Sequence, residues 1–107
     1  MMVKYLFRGS YTAAGAAGVL KEGGSRRAAA AEAVIKSVGG SVESMYWAMG
    51  EDDFFIIADM PDAASVAAAS LTVGASGTIR VTSTPLMGAD EVDAAAQMSP
   101  QFRPPGS

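Results

Sequence analysis

Two stretches of the chain alternate between apolar and polar positions with the period of a β-strand. In residues 2–11, MVKYLFRGSY, one face carries Val3, Tyr5 and Phe7. The other face carries Lys4, Leu6 and Arg8. Residues 77–86, GTIRVTSTPL, alternate in the same way and include Pro85, which is typical of a strand at the edge of a sheet. The pattern therefore predicts a first strand near the start of the chain and a last strand near residue 80.

Residues 42–60, VESMYWAMGEDDFFIIADM, predict a β-hairpin. Two runs rich in aromatic, β-branched and methionine residues flank residues 50–53, and a glycine with acidic neighbours between two such runs is typical of a turn. We expect strands over residues 41–49 and 53–60.

The segments between these strands predict helices. Thr12 is a suitable N-cap, but Gly15 and Gly18 weaken the segment that follows, so we expect a short, frayed turn or a loop there. Ser25 is expected to cap a better helix over residues 26–38, which ends at Gly39. Its expected core-facing residues are Ala29, Val34, Ile35 and Val38. Another helix is predicted at residues 63–73, and a short one at 91–98 precedes a Pro-rich tail.

The resulting order, β-α-β-β-α-β, predicts an α+β, ferredoxin-like domain with a four-stranded antiparallel sheet and both main helices on one face. We expect this domain to span residues 1–87, with the short helix and extended tail in residues 88–107. Large apolar side chains occur at both faces of the first three strands, for example Leu6 opposite Phe7 and Phe55 opposite Phe54. A sheet that is apolar on both faces needs two covers. We therefore expect a homo-oligomer built on the second face, in its simplest form a twofold dimer.

Composition excludes several classes of function. The 107 residues carry a formal charge of −3 with scattered Lys and Arg, which argues against a nucleic-acid partner. Without Cys or His, the chain has no disulfide, no thiolate nucleophile, no Ser-His-Asp triad and none of the common metal sites. We expect no cofactor and no metal. No membrane-spanning run and no signal-peptide core is recognisable, so we expect a cytoplasmic protein without a membrane partner.

Three groups of residues are candidates for binding. Aromatic and arginine side chains that could line a pocket for a small anionic or aromatic ligand are Tyr5, Arg8, Tyr46, Trp47 and Arg80. The favoured alternative is that Tyr46 and Trp47, on opposite faces, pack in the core and at an interface, while the two arginines pair with Glu43, Glu51 or Asp59. The turn Gly50, Glu51, Asp52 and Asp53 carries three carboxylates, for which a solvated turn is favoured over a cation site. In that turn Asp53 is expected to cap backbone N–H groups. Arg26 and Arg27, in the first turn of a helix, are expected to extend into solvent, and the alternative is that they bind an anion or a partner carboxylate.

Several segments occur in an order that resembles a known family. They are VLKEGGSRR, SVESMYWAMGEDDFFIIADMPD, SGTIRVTST and FRPPG. Together they are similar to the GYD domain family of small bacterial proteins, whose fold resembles the ferredoxin-like dimeric α/β barrels. The resemblance places the family's Gly-x-Tyr-Asp motif at residues 50–53, with Asp52 at the Tyr position, and it implies no established activity.

Two classes of function remain. The favoured one is a non-catalytic assembly or interaction module, whose exposed edges and tail near Phe102 and Arg103 dock on a neighbouring subunit or another protein. The alternative is a small-molecule binder or cofactor-independent enzyme that uses a cavity between the sheet and the helices or at a subunit interface. In an enzyme, the acid-base and electrostatic work would fall to Tyr5, Arg8, Tyr46, Glu51 and Asp53.

Overall fold

The computed structural model describes residues 1–107 and contains four strands and four helices. The strands are β1 (Val3–Tyr11), β2 (Ser41–Trp47), β3 (Phe54–Met60) and β4 (Ile79–Pro85). The helices are α1 (Ala13–Glu22), α2 (Gly24–Ser37), α3 (Ala63–Ala75) and α4 (Ala89–Gln97). All strand pairs are antiparallel, in the spatial order β2-β3-β1-β4. The α+β, ferredoxin-like fold predicted from the alternation is thereby confirmed.

The core lies between the sheet and the helices on one of its faces. Strand β3 supplies alternate residues to it, Phe54, Ile56, Ala58 and Met60, all of which are buried. From the neighbouring elements Phe7, Ile35 and Val66 complete the cluster. Only 11 of the 107 residues are buried, so the core is thin for the length of the chain.

Helix α1 is a full helix of ten residues, and the expectation of a frayed turn or loop was wrong. The Thr12 hydroxyl accepts a hydrogen bond from the Gly15 N–H, which is the capping predicted from the sequence. Gly15 is buried where the helix crosses the start of β4, and a Cβ atom there would lie 2.0 Å from the Thr78 carbonyl oxygen. The glycine that lowers helix propensity is thus the residue that permits this close approach.

Helix α2 begins one residue before the expected cap. Gly23, in a left-handed conformation with φ of 81°, occupies the N-cap position, and no side chain caps the helix. Ile35 of the predicted stripe is buried, but Ala29 is exposed, and Ala31 packs against the core instead. In a run of four alanines no single residue is apolar enough to mark the buried face, so that part of the prediction was wrong.

A β-bulge between Val42 and Ser44 shifts the register of β2 against β3. Strict alternation from Tyr46 would place Val42 on the face away from the helices and Glu43 on the helix face. The bulge reverses this, because Val42 packs against the core and Glu43 reaches Lys4 on the opposite face.

The chain beyond Leu86 lies apart from the packed body. Every residue of 87–107 is exposed, including Val92, Met98 and Phe102. The radius of gyration is 16.9 Å, whereas a compact domain of this length has about 13 Å. We call residues 87–107 the C-terminal arm. None of the helices combines the length and the apolar character that a bilayer crossing requires.

Candidate functional site

The sheet has an open face, away from the helices, whose centre is apolar. Cross-strand register aligns Leu6 with Ile57, and the next row along the strands contains Tyr46, Phe55 and Arg8. Leu6, Phe55 and Ile57 are only half-buried, although each lies on a central strand, and Tyr46 is 71% exposed. No element of the chain covers these residues.

Charged side chains occupy the two ends of this open face. At one end the Lys4 ammonium donates to a carboxylate oxygen of Asp59 at 2.9 Å and also to Glu43. These bonds, first that to Glu43 and then that to Asp59, raise the pKa of Lys4 above its ordinary value of 10.5. At the other end lie Arg8 and Arg80, which take part in none of the ion pairs of the structure. The acidic turn between β2 and β3 lies at this second end as well, because Asp53 bonds to the backbone of Gly9 and Tyr11 in β1. Each end of the sheet therefore carries both basic and acidic side chains.

The structure divides the predicted pocket residues between the two faces. Arg8, Tyr46 and Arg80 lie on the open face, whereas Tyr5 and Trp47 pack against the core on the helix face. The indole N–H of Trp47 donates to the Tyr11 hydroxyl at 3.0 Å. The five residues thus do not surround one cavity. The alternative, in which Tyr46 and Trp47 pack, holds for Trp47, whereas Tyr46 is exposed in the single chain. Glu43 and Asp59 pair with Lys4 and not with the arginines, and Glu51 takes part in no ion pair.

In the acidic turn, Asp53 makes a specific backbone contact. Its carboxylate accepts a hydrogen bond from the Tyr11 N–H at 2.9 Å, and its own N–H donates to the Gly9 carbonyl at 2.7 Å. The carboxylate of Asp53 was expected to cap N–H groups of its own turn, and that expectation was wrong, because the N–H that it accepts from belongs to β1. Glu51 is exposed, and the three carboxylates of the turn do not converge into a group that could hold a metal ion.

On the opposite side of the sheet a cavity of about 320 Å³ lies between α2, α3 and the strands. Of the 18 residues that line it, 13 are hydrophobic, and Arg27 is the only charged one. The wall also includes Ser70, whose hydroxyl oxygen is buried and has no hydrogen-bond partner. The sequence indicated Arg27 as a possible anion ligand. It gave no signal for Ser70, because a serine in an alanine-rich helix is unremarkable until its surroundings are known.

The fold and these two surfaces define a small α+β domain of ferredoxin-like topology, with one face under helices and the other open. A family model described as GYD domain matches residues 5–96. The chain therefore belongs to the GYD domain family, as its segments indicated. No curated protein and no solved structure matches the chain significantly.

Proposed function

We propose that this protein is a non-catalytic assembly module that forms a homodimer through the open face of its sheet. The observation that carries the proposal is the amount of surface that the single chain leaves exposed. Its accessible surface is 7340 Å², whereas a folded monomer of this mass exposes about 5,600 Å². The excess of roughly 1,700 Å² is about twice what each partner contributes to a standard protein interface.

The apolar centre of the open face supports a second copy of the chain as its occupant. Leu6, Phe55 and Ile57 are half-buried on central strands, and nothing in their own chain covers them. A twofold dimer sets this patch of each copy against the same patch of the other. Both ends of the sheet carry basic and acidic side chains, which suit the polar rim of such an interface.

The C-terminal arm supplies the remaining interface in this proposal. A face of four strands, each about 23 Å long and spaced about 4.8 Å apart, covers roughly 440 Å² of flat area, which is small for a stable dimer. The arm exposes Val92, Met98 and Phe102, which contact no core of their own chain. In a dimer these side chains become buried against the second copy, which extends the contact beyond the sheet.

The proposal is tested by placing a charge at the centre of the open face. Ile57→Lys removes apolar contact and buries an ammonium group between the sheets, so we expect the dimer dissociation constant to rise by at least about a hundredfold. The matched control is Leu71→Lys, because Leu71 is an apolar residue of the same size that is 73% exposed on α3. Sedimentation equilibrium measures both constants. Equal effects of the two substitutions would contradict the assigned face.

A further inference from the structure

The cavity beneath the helices has the size and lining of a ligand site. Its volume of about 320 Å³ lies within the range of roughly 300–1,000 Å³ that is typical of small-molecule pockets. Most of the wall is apolar, from Phe7 and Phe54 on the sheet to Val34 on α2 and Val73 on α3. This lining favours an apolar body. The cavity lies on the opposite side of the sheet from the open face, so its occupancy and the proposed dimer are independent.

Arg27 gives the cavity a preference for an anion. It is the only charged residue in the wall, and it also lines a smaller adjoining cavity of about 210 Å³. Its side chain is 27% exposed, and its Nη1 atom lies 3.4 Å from a Glu22 carboxylate oxygen, a long contact for an ion pair. A guanidinium that is partly desolvated and loosely paired retains N–H donors for a planar carboxylate.

Ser70 supplies a second, independent indication. Its hydroxyl oxygen is buried in α3 without a hydrogen-bond partner, and Ser70 lines the same cavity. Buried polar groups are nearly always hydrogen-bonded, so an orphan hydroxyl next to a cavity needs a partner. The oxygen itself is closed to solvent in this side-chain position, so rotation of Ser70 about χ1 is needed for a partner in the cavity to reach it. An oxygen substituent on the apolar body of a ligand would be such a partner.

We infer that this cavity binds a small monocarboxylate with an apolar, oxygen-substituted body, whose carboxylate pairs with Arg27 and whose internal oxygen hydrogen-bonds to Ser70. The carboxylate displaces the weak contact of Arg27 with Glu22. The apolar body fills the space between α2, α3 and the sheet.

Three naphthalene probes test both contacts by isothermal titration calorimetry on the full chain. They are 6-hydroxy-2-naphthoate, 2-naphthoate and the neutral 2-naphthol. We expect the hydroxylated carboxylate to bind most tightly. Arg27→Gln should weaken both carboxylates by about ten- to a hundredfold and leave 2-naphthol unchanged. The neighbouring Arg26→Gln is the matched control, because Arg26 is exposed and does not line the cavity.

Ser70→Ala separates a ligand contact from a structural role. It should abolish the advantage of 6-hydroxy-2-naphthoate over 2-naphthoate, yet raise the melting temperature of the ligand-free protein, because an unsatisfied hydroxyl is removed. Binding of neither carboxylate up to its solubility limit would overturn the inference. Equal effects of Arg27→Gln and Arg26→Gln on carboxylate binding would also overturn it. The same holds if Ser70→Ala still binds 6-hydroxy-2-naphthoate more tightly than 2-naphthoate. The melting curve of each variant confirms that it is folded.

Discussion

Replacing each of the two glycines of α1 by alanine should change stability in opposite directions. The two positions share a helix and differ in their surroundings. At Gly15 a Cβ atom would lie 2.0 Å from the backbone carbonyl oxygen of Thr78 and 3.2 Å from the Tyr11 Cβ atom. At Gly18 a Cβ atom would meet nothing within 4 Å. Helix propensity favours alanine equally at both positions, so the difference isolates the effect of packing.

The size of the destabilisation by Gly15→Ala follows from the distance by which α1 and Thr78 must separate. Ordinary contact begins near 3.4 Å, so α1 and Thr78 would have to separate by more than about 1 Å, at a cost of about 1–3 kcal/mol for overpacking. The same carbonyl accepts a hydrogen bond from the Thr12 N–H at 3.0 Å, which this movement would lengthen. After a gain of about 1 kcal/mol from propensity, we expect Gly15→Ala to lower the free energy of unfolding by up to about 2 kcal/mol.

Gly18→Ala keeps the gain in propensity and should raise the free energy of unfolding by about 0.5–1 kcal/mol. Urea denaturation measures both values, at one fixed protein concentration because dimerisation adds to apparent stability. A change of about 1 kcal/mol in the free energy of unfolding corresponds to a shift of about 4–8 °C in the melting temperature of a domain of this size. If Gly15→Ala were as stabilising as Gly18→Ala, the close approach of α1 to β4 would be wrong.

Three further substitutions test the hydrogen bonds that join the elements. Asp53→Ala leaves the Tyr11 N–H without its acceptor and should lower the free energy of unfolding by about 1–3 kcal/mol in urea denaturation, whereas Asp52→Ala should change it by less than about 0.5 kcal/mol. Asp62→Ala should reduce stability at neutral pH and have no effect in strong acid. The hydrogen bond from the Ser65 N–H to the Asp62 carboxylate lowers the pKa of Asp62 below its ordinary value of 3.8. The stabilisation by the Asp62 carboxylate is therefore present above pH 3.8 and is lost as the pH falls through the pKa of the folded state. Urea denaturation at several pH values measures this dependence. Tyr11→Phe removes the acceptor of the indole N–H and should shift the fluorescence of Trp47, the only tryptophan, while an unchanged spectrum would argue against that hydrogen bond.

The strands were predictable because their alternation is a local property of the sequence. Both strands of the hairpin and the order of all four strands followed from it, and so did the apolar character of both faces. The departures arose where tertiary contacts override local preference. From the sequence alone Gly15 predicts a weakened helix, because its close contact with Thr78 at the start of β4 is not visible there. The exposed Ala29 cannot be distinguished from its neighbours in a run of alanines.

The candidate sites were harder to predict from the sequence, because they too depend on tertiary contacts. The bulge in β2 decides that Glu43 lies on the open face, and a bulge leaves no mark in the alternation that distinguishes it from a polar position. Arg27 could be named as a possible anion ligand from its position at a helix start. The orphan hydroxyl of Ser70 depends on which atoms surround it, and that information exists only in three dimensions.

The mass of the native protein in solution tests the central claim most directly. Native mass spectrometry of the full chain, supported by light scattering at concentrations up to about 100 μM, reports the number of subunits and any retained small molecule together. We predict a mass of twice 10.9 kDa, because the open face and the C-terminal arm are buried between two copies. A single chain of 10.9 kDa throughout this concentration range would contradict the account.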